Sequence, residues 1–543
     1  MIRVVPVRSR DTHVRPSPPP GSAMDTPHRP PAVLLSLFLL ASVAAAPPPA
    51  AGAVQQTLAP DSVQALVDGA RGEAFALYRD LLSYPNDAHH PDDILELVAR
   101  LEEAFGERGF ETERLPTPGS PLLLAERRVP GADRTVLVYL QADGQPVDPS
   151  AWNQESPWQA VLKERTDAGE WRHIPWSRLE GEPDPDWRIF ARSASDSKGP
   201  IAQFLTALTL ADRAGVRPDF HLKVIVDTQE EQGSPHLPDA VERFRDRLAA
   251  DMLVIFDGPP HLSGRPTLKF GARGIATVTL TTYGPRVPVH SGHYGNYAPN
   301  PVFRMAEILA AAKDDAGRVT LPGWYDGVSL DPETREILAA VPDDEEQIQR
   351  DLGIGMIDSV ASSLQGAVQY PSLNVRGVRA GWVGDQARTI IPDRAVAEID
   401  VRLVAESDPG RLLRLLREHV EGQGFHVLDR EPTDAERQRH PRLASMTSTV
   451  SYAAFRTPFD SEPGRWLTRA YRGLYGGEPI RIRTSGGSIP ISPFVTTLGV
   501  PAVSVPTVNP DNNQHSPDEN LRVGNFLRGI ETMIAVLSTP VTP

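Results

Sequence analysis

Acidic and amide side chains gather just beyond three short, β-branched apolar runs. Gln141 and Asp143 follow residues 135–140 (TVLVYL), Asp227, Glu230 and Glu231 follow residues 221–226 (HLKVIV), and Asp257 follows residues 252–256 (MLVIF). A single aspartate at a strand end is usually a turn former or helix cap. Three runs ending this way predict side chains converging on the crevice outside the carboxyl ends of a parallel sheet, where α/β proteins bind ligands. Carboxylates grouped there can hold a cation and exchange a proton with water. The 543 residues include no cysteine. This excludes disulfides, iron–sulfur clusters, thiolate zinc sites and thiol nucleophiles, so any metal must take histidine and carboxylate donors. Lys and Arg number 55 against 70 for Asp and Glu, a balance of −15, with no basic block beyond the first 30 residues. That argues against a nucleic-acid partner.

The elements that must position these groups follow from periodicity. Residues 61–109 read as helical, with Ile94, Leu95, Leu97, Val98, Leu101 and Phe105 at three- and four-residue spacing behind Pro91 and Asp92. Ile201, Phe204, Leu205 and Leu208 form a second helical face just after Pro200. Strands alternating with helices predict an α/β domain with a mostly parallel central sheet. After Gly274 the pattern changes to alternating runs at 275–282, 373–378 and 395–403, with helical patterns at 301–313 and 409–421. This predicts a smaller α+β domain with an antiparallel sheet and a polar, elaborated loop at 314–366. From about Pro458, the helical stretch 466–475 and strands near Ile480 and Val503 return to the first domain. The expected plan is therefore one domain split around another: 54–274 and 458–543 around an inserted 275–457.

Residues 32–46 (AVLLSLFLLASVAAA) are too few to span a bilayer and suit a signal-peptide apolar region, with a small-residue cleavage site at Ala51-Gly52-Ala53. Residues 24–53 are expected to be the leader, 1–23 an upstream extension, and the mature protein periplasmic or secreted, with no stable membrane span.

Nine segments, in order, resemble the co-catalytic zinc peptidase family that includes carnosinase-like dipeptidases, glutamate-releasing carboxypeptidases, aminoacylases and acetylornithine deacetylase. They are YLQADGQPVD (139–148), ARSASDSKG (191–199), TQEEQGSPHL (228–237), IFDG (255–258), GARGI (271–275), VHSGHYGNYAPNP (289–301), ARTIIP (387–392), GGSIP (486–490) and HSPDEN (515–520). The third and eighth most resemble the dipeptidase branch.

The resemblance implies a zinc-peptidase-type α/β catalytic domain with an inserted lid or dimerisation domain, and two metal sites taking zinc, with manganese or cobalt as substitutes. It makes Asp196 the carboxylate that bridges the ions, Glu231 and His515 ligands of one, and Asp257 a ligand of the other. It makes Glu230 the general base and Asp143 the support of the ligand geometry. Where the family carries a histidine beside the Asp257 site, this sequence has Gln141. An amide oxygen is a weaker donor than imidazole, so the second site is expected to be weakened. His290 resembles the residue that stabilises the oxyanion, often in a second subunit, and Arg402 the arginine that binds the substrate carboxylate. Gly486, Gly487 and Ser488 resemble a loop whose backbone and hydroxyl approach the substrate. Thr484 and Ser485 stand where many dipeptidases carry an Arg-Glu pair.

The expected function is metal-dependent hydrolysis of dipeptides or short peptides with a free carboxylate, by a homodimer. Two alternatives use the same residues: deacylation of N-acyl amino acids, and non-catalytic solute binding on a fold whose second metal site has decayed.

Overall fold

The computed structural model describes residues 57–542. The expected leader at 24–53 and the extension before it lie outside the described residues. Among the described residues no helix is long and apolar enough to cross a membrane.

Thirteen strands build the two principal sheets. In chain order they are β1 (Glu111–Leu115), β2 (Leu122–Arg127), β3 (Arg134–Gln141), β4 (Phe220–Asp227), β5 (Met252–Ile255), β6 (Thr267–Lys269), β7 (Gly274–Tyr283), β8 (Ser372–Arg379), β9 (Arg394–Leu403), β10 (His426–Leu428), β11 (Leu443–Tyr452), β12 (Ile480–Ile482) and β13 (Ala502–Ser504). The eight-stranded sheet runs β1-β2-β4-β3-β5-β13-β6-β12. Its centre, β4-β3-β5-β13, is parallel. The three runs read from the sequence are thus neighbours, and β3 pairs Gln141 with Asp227 at the carboxyl end.

Alternation along β3 shows how the sheet is covered. Val136, Val138 and Leu140 join a core with helices 71–82, 91–106, 198–213, 462–475 and 523–538. Leu137 and Tyr139 face Leu237, Val241 and Phe494 on the other side. Apolar residues on both faces are what a buried parallel sheet requires.

The five-stranded sheet runs β8-β9-β7-β11-β10 and is antiparallel except for β10 with β11. One face packs Ala276, Val278, Leu280, Ile399 and Val401 on Met305, Ile308, Leu412 and Leu416 of helices Pro301–Ala311 and Pro409–Gly422. All its strands come from residues between Gly274 and Tyr452, whereas the larger sheet takes strands from both sides of that segment.

Two features differ from the expected elements. The stretch 61–109 is three helices, Pro60–Gly69, Arg71–Leu82 and Pro91–Gly106, because Gly69-Ala70 and the loop after Ser83 interrupt it. A four-stranded sheet of Asn520–Arg522, Arg188–Phe190, Val161–Arg165 and Trp171–His173 has strands too short to carry a periodic signal. It matters to the site, because it brings the segment after His515 beside the one leading to Asp196.

Candidate active site

The site lies at the carboxyl ends of β3, β4 and β5. Asp227 closes β4 and organises the turn after it, accepting hydrogen bonds from Gln229 N (3.0 Å), Tyr139 Oη (3.0 Å) and Ser234 Oγ (2.5 Å). That turn ends in a left-handed Gly233 (φ 76°) and carries the adjacent Glu230 and Glu231. Asp143, two residues beyond β3, accepts the backbone N–H of Glu230 and of Glu231, each at 3.0 Å. It therefore fixes the peptide carrying both glutamates. Burial, followed by the charge of Asp227, holds the Asp143 carboxyl well above its ordinary range.

Asp196 sits in the loop before helix Lys198–Arg213, and Glu519 shapes that loop. Glu519 is fully buried, and its carboxylate accepts from the backbone N–H of Ser193, Ser195 and Asp196 (each 2.9 Å), from Ser195 Oγ (2.9 Å) and from Arg192 Nη1 (2.8 Å). Sequence reasoning passed over it. Its position inside the HSPDEN segment was the available signal, but beside Asp518 it reads as one of two solvated acids. Lys198 was also missed: it is fully buried, donates to Tyr84 O, and burial brings its ammonium down to about 7.

His515 comes from the loop before Asn520–Arg522, with φ 62°. Asn512 supports that loop, its side-chain oxygen accepting Gln514 N (3.0 Å) and its carbonyl accepting Asn520 N (2.8 Å). A non-glycine residue in this conformation needs such surroundings to hold it. His515 Nε2 lies 3.1 Å from Asp196 Oδ2 and 3.3 Å from Glu231 Oε2. One donor atom from each of the three residues falls within 4.8 Å of the others. Two carboxylate oxygens and one imidazole nitrogen at this spacing fit a divalent cation such as zinc.

The electrostatics fit the same conclusion. The hydrogen bond with Asp196 raises His515 to about 9, while burial and the Asp196 charge push Glu231 up to about 8. Burial, with Asp196, Glu231, Asp257 and Asp143 around it, holds Glu230 well above its ordinary value. Carboxylates are concentrated here, and each raises its neighbours' affinity for a proton.

The remaining expected residues are distributed as follows. Gln141 Nε2 donates to Asp196 Oδ1 (2.7 Å) and Ser197 Oγ (2.9 Å), while Asp257 Oδ1 lies 3.2 Å from Ser197 Oγ. Arg402, on β9, donates from Nη1 to Ser488 Oγ at 2.7 Å. Tyr452, at the end of β11, also hydrogen-bonds Ser488 and is pushed up to about 12 by burial and then by the Glu230 charge, so this cluster lies within electrostatic reach of Glu230. Tyr452 was not anticipated. Gly486 and Gly487 are exposed, and nothing lies within 4 Å of a Cβ built on Gly487. His290 is exposed, and its partners are local: Gly292 N (3.0 Å), Thr389 Oγ1 (3.5 Å) and the His293 ring. Within one chain it is not brought to the Asp196–Glu231–His515 trio. His89, His90 and His293 are exposed.

The sequence model for peptidase family M20/M25/M40 matches residues 161–539. The chain belongs to this family. It is 26% identical over 450 residues to a Cys-Gly metallodipeptidase of Schizosaccharomyces pombe, covering 81% of this chain and 86% of that one. It is 25% identical over 431 residues to the human Beta-Ala-His dipeptidase, covering 78% of each. The fold is similar to the crystal structure of an M20 family metallo-carboxypeptidase from Sulfolobus solfataricus, with TM-score 0.69, 28% identity, and 86% and 99% of the two chains covered. One solved structure of similar fold, a Bacillus subtilis protein, is described as a dinuclear metal binding peptidase of the M20 family. The protein is thus a metallopeptidase of the dipeptidase-like branch, with an α/β domain of mostly parallel sheet and a separate antiparallel sheet.

Proposed function

We propose that the protein hydrolyses the amide bond of dipeptides or short peptides beside a free carboxylate, with Glu230 as general base. The observation that carries this is the trio Asp196, Glu231 and His515, with donor atoms within 4.8 Å of one another and Glu230 adjacent in sequence and facing the same carboxylates. Asp196, Glu231 and His515 would hold a divalent cation, which would supply Lewis acidity toward the scissile carbonyl and a water.

The chain's own residues do the rest. Glu230 accepts a proton from the attacking water and returns it to the leaving nitrogen, a role suited to a carboxylate whose proton affinity is raised by burial. Asp143 keeps Glu230 and Glu231 in register by holding both backbone N–H groups. Arg402, oriented by Ser488, holds the substrate carboxylate, and the exposed backbone of Gly486 and Gly487 lines its approach. We assign residues 275–457 to a lid or dimerisation domain, through which His290 of a second copy supports the oxyanion. The leader assigns the protein to the periplasm or the exterior.

The test is a panel of dipeptides and N-acetyl amino acids assayed with zinc, manganese or cobalt, and again after chelation. Metal-dependent turnover of dipeptides is expected. Turnover of N-acetyl amino acids alone would transfer the site to deacylation, and no turnover with any metal would leave only the binding-protein alternative.

A further inference from the structure

The position expected for a second cation, between Asp196 and Asp257, is already occupied by hydrogen-bond donors of the chain. Asp196 divides its oxygens. Oδ2 faces His515 Nε2 at 3.1 Å and Gln514 Nε2 at 3.3 Å. Oδ1, which a bridging carboxylate would offer to the other ion, accepts from Gln141 Nε2 at 2.7 Å and Ser197 Oγ at 2.8 Å. Ser197 Oγ also receives Gln141 Nε2 at 2.9 Å and stands 3.2 Å from Asp257 Oδ1. An amide and a hydroxyl therefore link the two carboxylates that would share a metal. Both side chains are buried, Gln141 at 3% and Ser197 at 0% exposure.

A cation of the chain's own faces the same place. Lys269, at the end of β6, is paired with Ser504 of β13, which runs beside β5. Its Nζ lies 3.7 Å from where a Cβ on Gly258 would sit, next to Asp257, and its charge bears on Asp257. For Gln141 to ligate a metal, its amide must turn over. Its Oε1 is buried without a hydrogen-bond partner, and turning it toward Asp196 Oδ1 would set two acceptors face to face.

We infer that this chain holds one divalent cation, at Asp196, Glu231 and His515, and that Gln141, Ser197 and Lys269 replace the second. The inference rests on the metallopeptidase reading for the first cation only. Its test counts metal, independently of activity: zinc per chain by mass spectrometry of the full-length protein after equilibration with excess zinc and removal of free ion. Wild type is expected to hold one, and Gln141→His combined with Lys269→Met to hold two, with Lys269→Arg remaining at one. Two zinc ions in wild type would overturn this inference and leave the proposed function standing. One in the double variant, folded by circular dichroism, would also overturn it, because Gln141 and Lys269 would then not be what excludes the second ion. No zinc in wild type would overturn this inference, and no manganese or cobalt in parallel loadings would overturn the proposed function with it.

Discussion

Glu519 touches no expected metal donor atom, yet it fixes where Asp196 stands. Its carboxylate accepts three backbone N–H groups and pairs with buried Arg192. Removing it leaves a buried guanidinium without its partner, so Glu519→Ala is expected to cost about 3–5 kcal/mol. Urea unfolding checks this, and a loss below about 1 kcal/mol, the range of an exposed pair, would contradict it. The trio makes a second prediction. His515 is raised to about 9, so in the metal-free protein its contribution to stability is present below its ordinary value and fades as pH rises toward 9. Glu231, raised to about 8, likewise keeps its proton at neutral pH. Zinc must displace these protons, so calorimetry in buffers of differing ionisation enthalpy is expected to show proton release at pH 7 and less above pH 9. Equal release at both would contradict the assignment.

Elements bring these residues together, and the sequence disclosed them unevenly. Strands β3, β4 and β5 were legible because each is a continuous apolar run ending in acids, and their parallel adjacency puts Gln141, Asp227 and Asp257 at one edge. The roles of Asp196 and His515 came from resemblance alone, since nothing in their local patterns signals a ligand. The support around them was not legible. Glu519 acts through pairings across more than 300 residues, and Tyr452 through Ser488 and Glu230 outside its own strand, which local periodicity does not record. The Arg402–Ser488–Tyr452 cluster joins β9, β11 and the GGS loop. A hydrogen bond to a charged group contributes about 1.5–3 kcal/mol, so Arg402→Met is expected to raise KM for dipeptides about ten- to a hundredfold. Steady-state kinetics against an unchanged KM decides this.

At the scale of the molecule, exposed apolar side chains concentrate in the segment that carries the antiparallel sheet. Tyr297 is 86% exposed, Phe303 73% and Val383 85%, all in the same segment as His290. Exposed side chains of this size are available to an interface, and we assign them to the proposed dimer. Light scattering is expected to find two copies in wild type and one in Phe303→Asp, with a lower kcat in the variant because His290 then lacks a neighbouring site. A monomeric, fully active wild type would contradict this. The central claim is that Glu230 moves the proton for a cation held by Asp196, Glu231 and His515. Its most direct test is kcat/KM for dipeptide hydrolysis by wild type and Glu230→Gln at equal zinc content. The account predicts a fall of about 10²–10⁴-fold in the variant with zinc retained, and a variant as fast as wild type would contradict it.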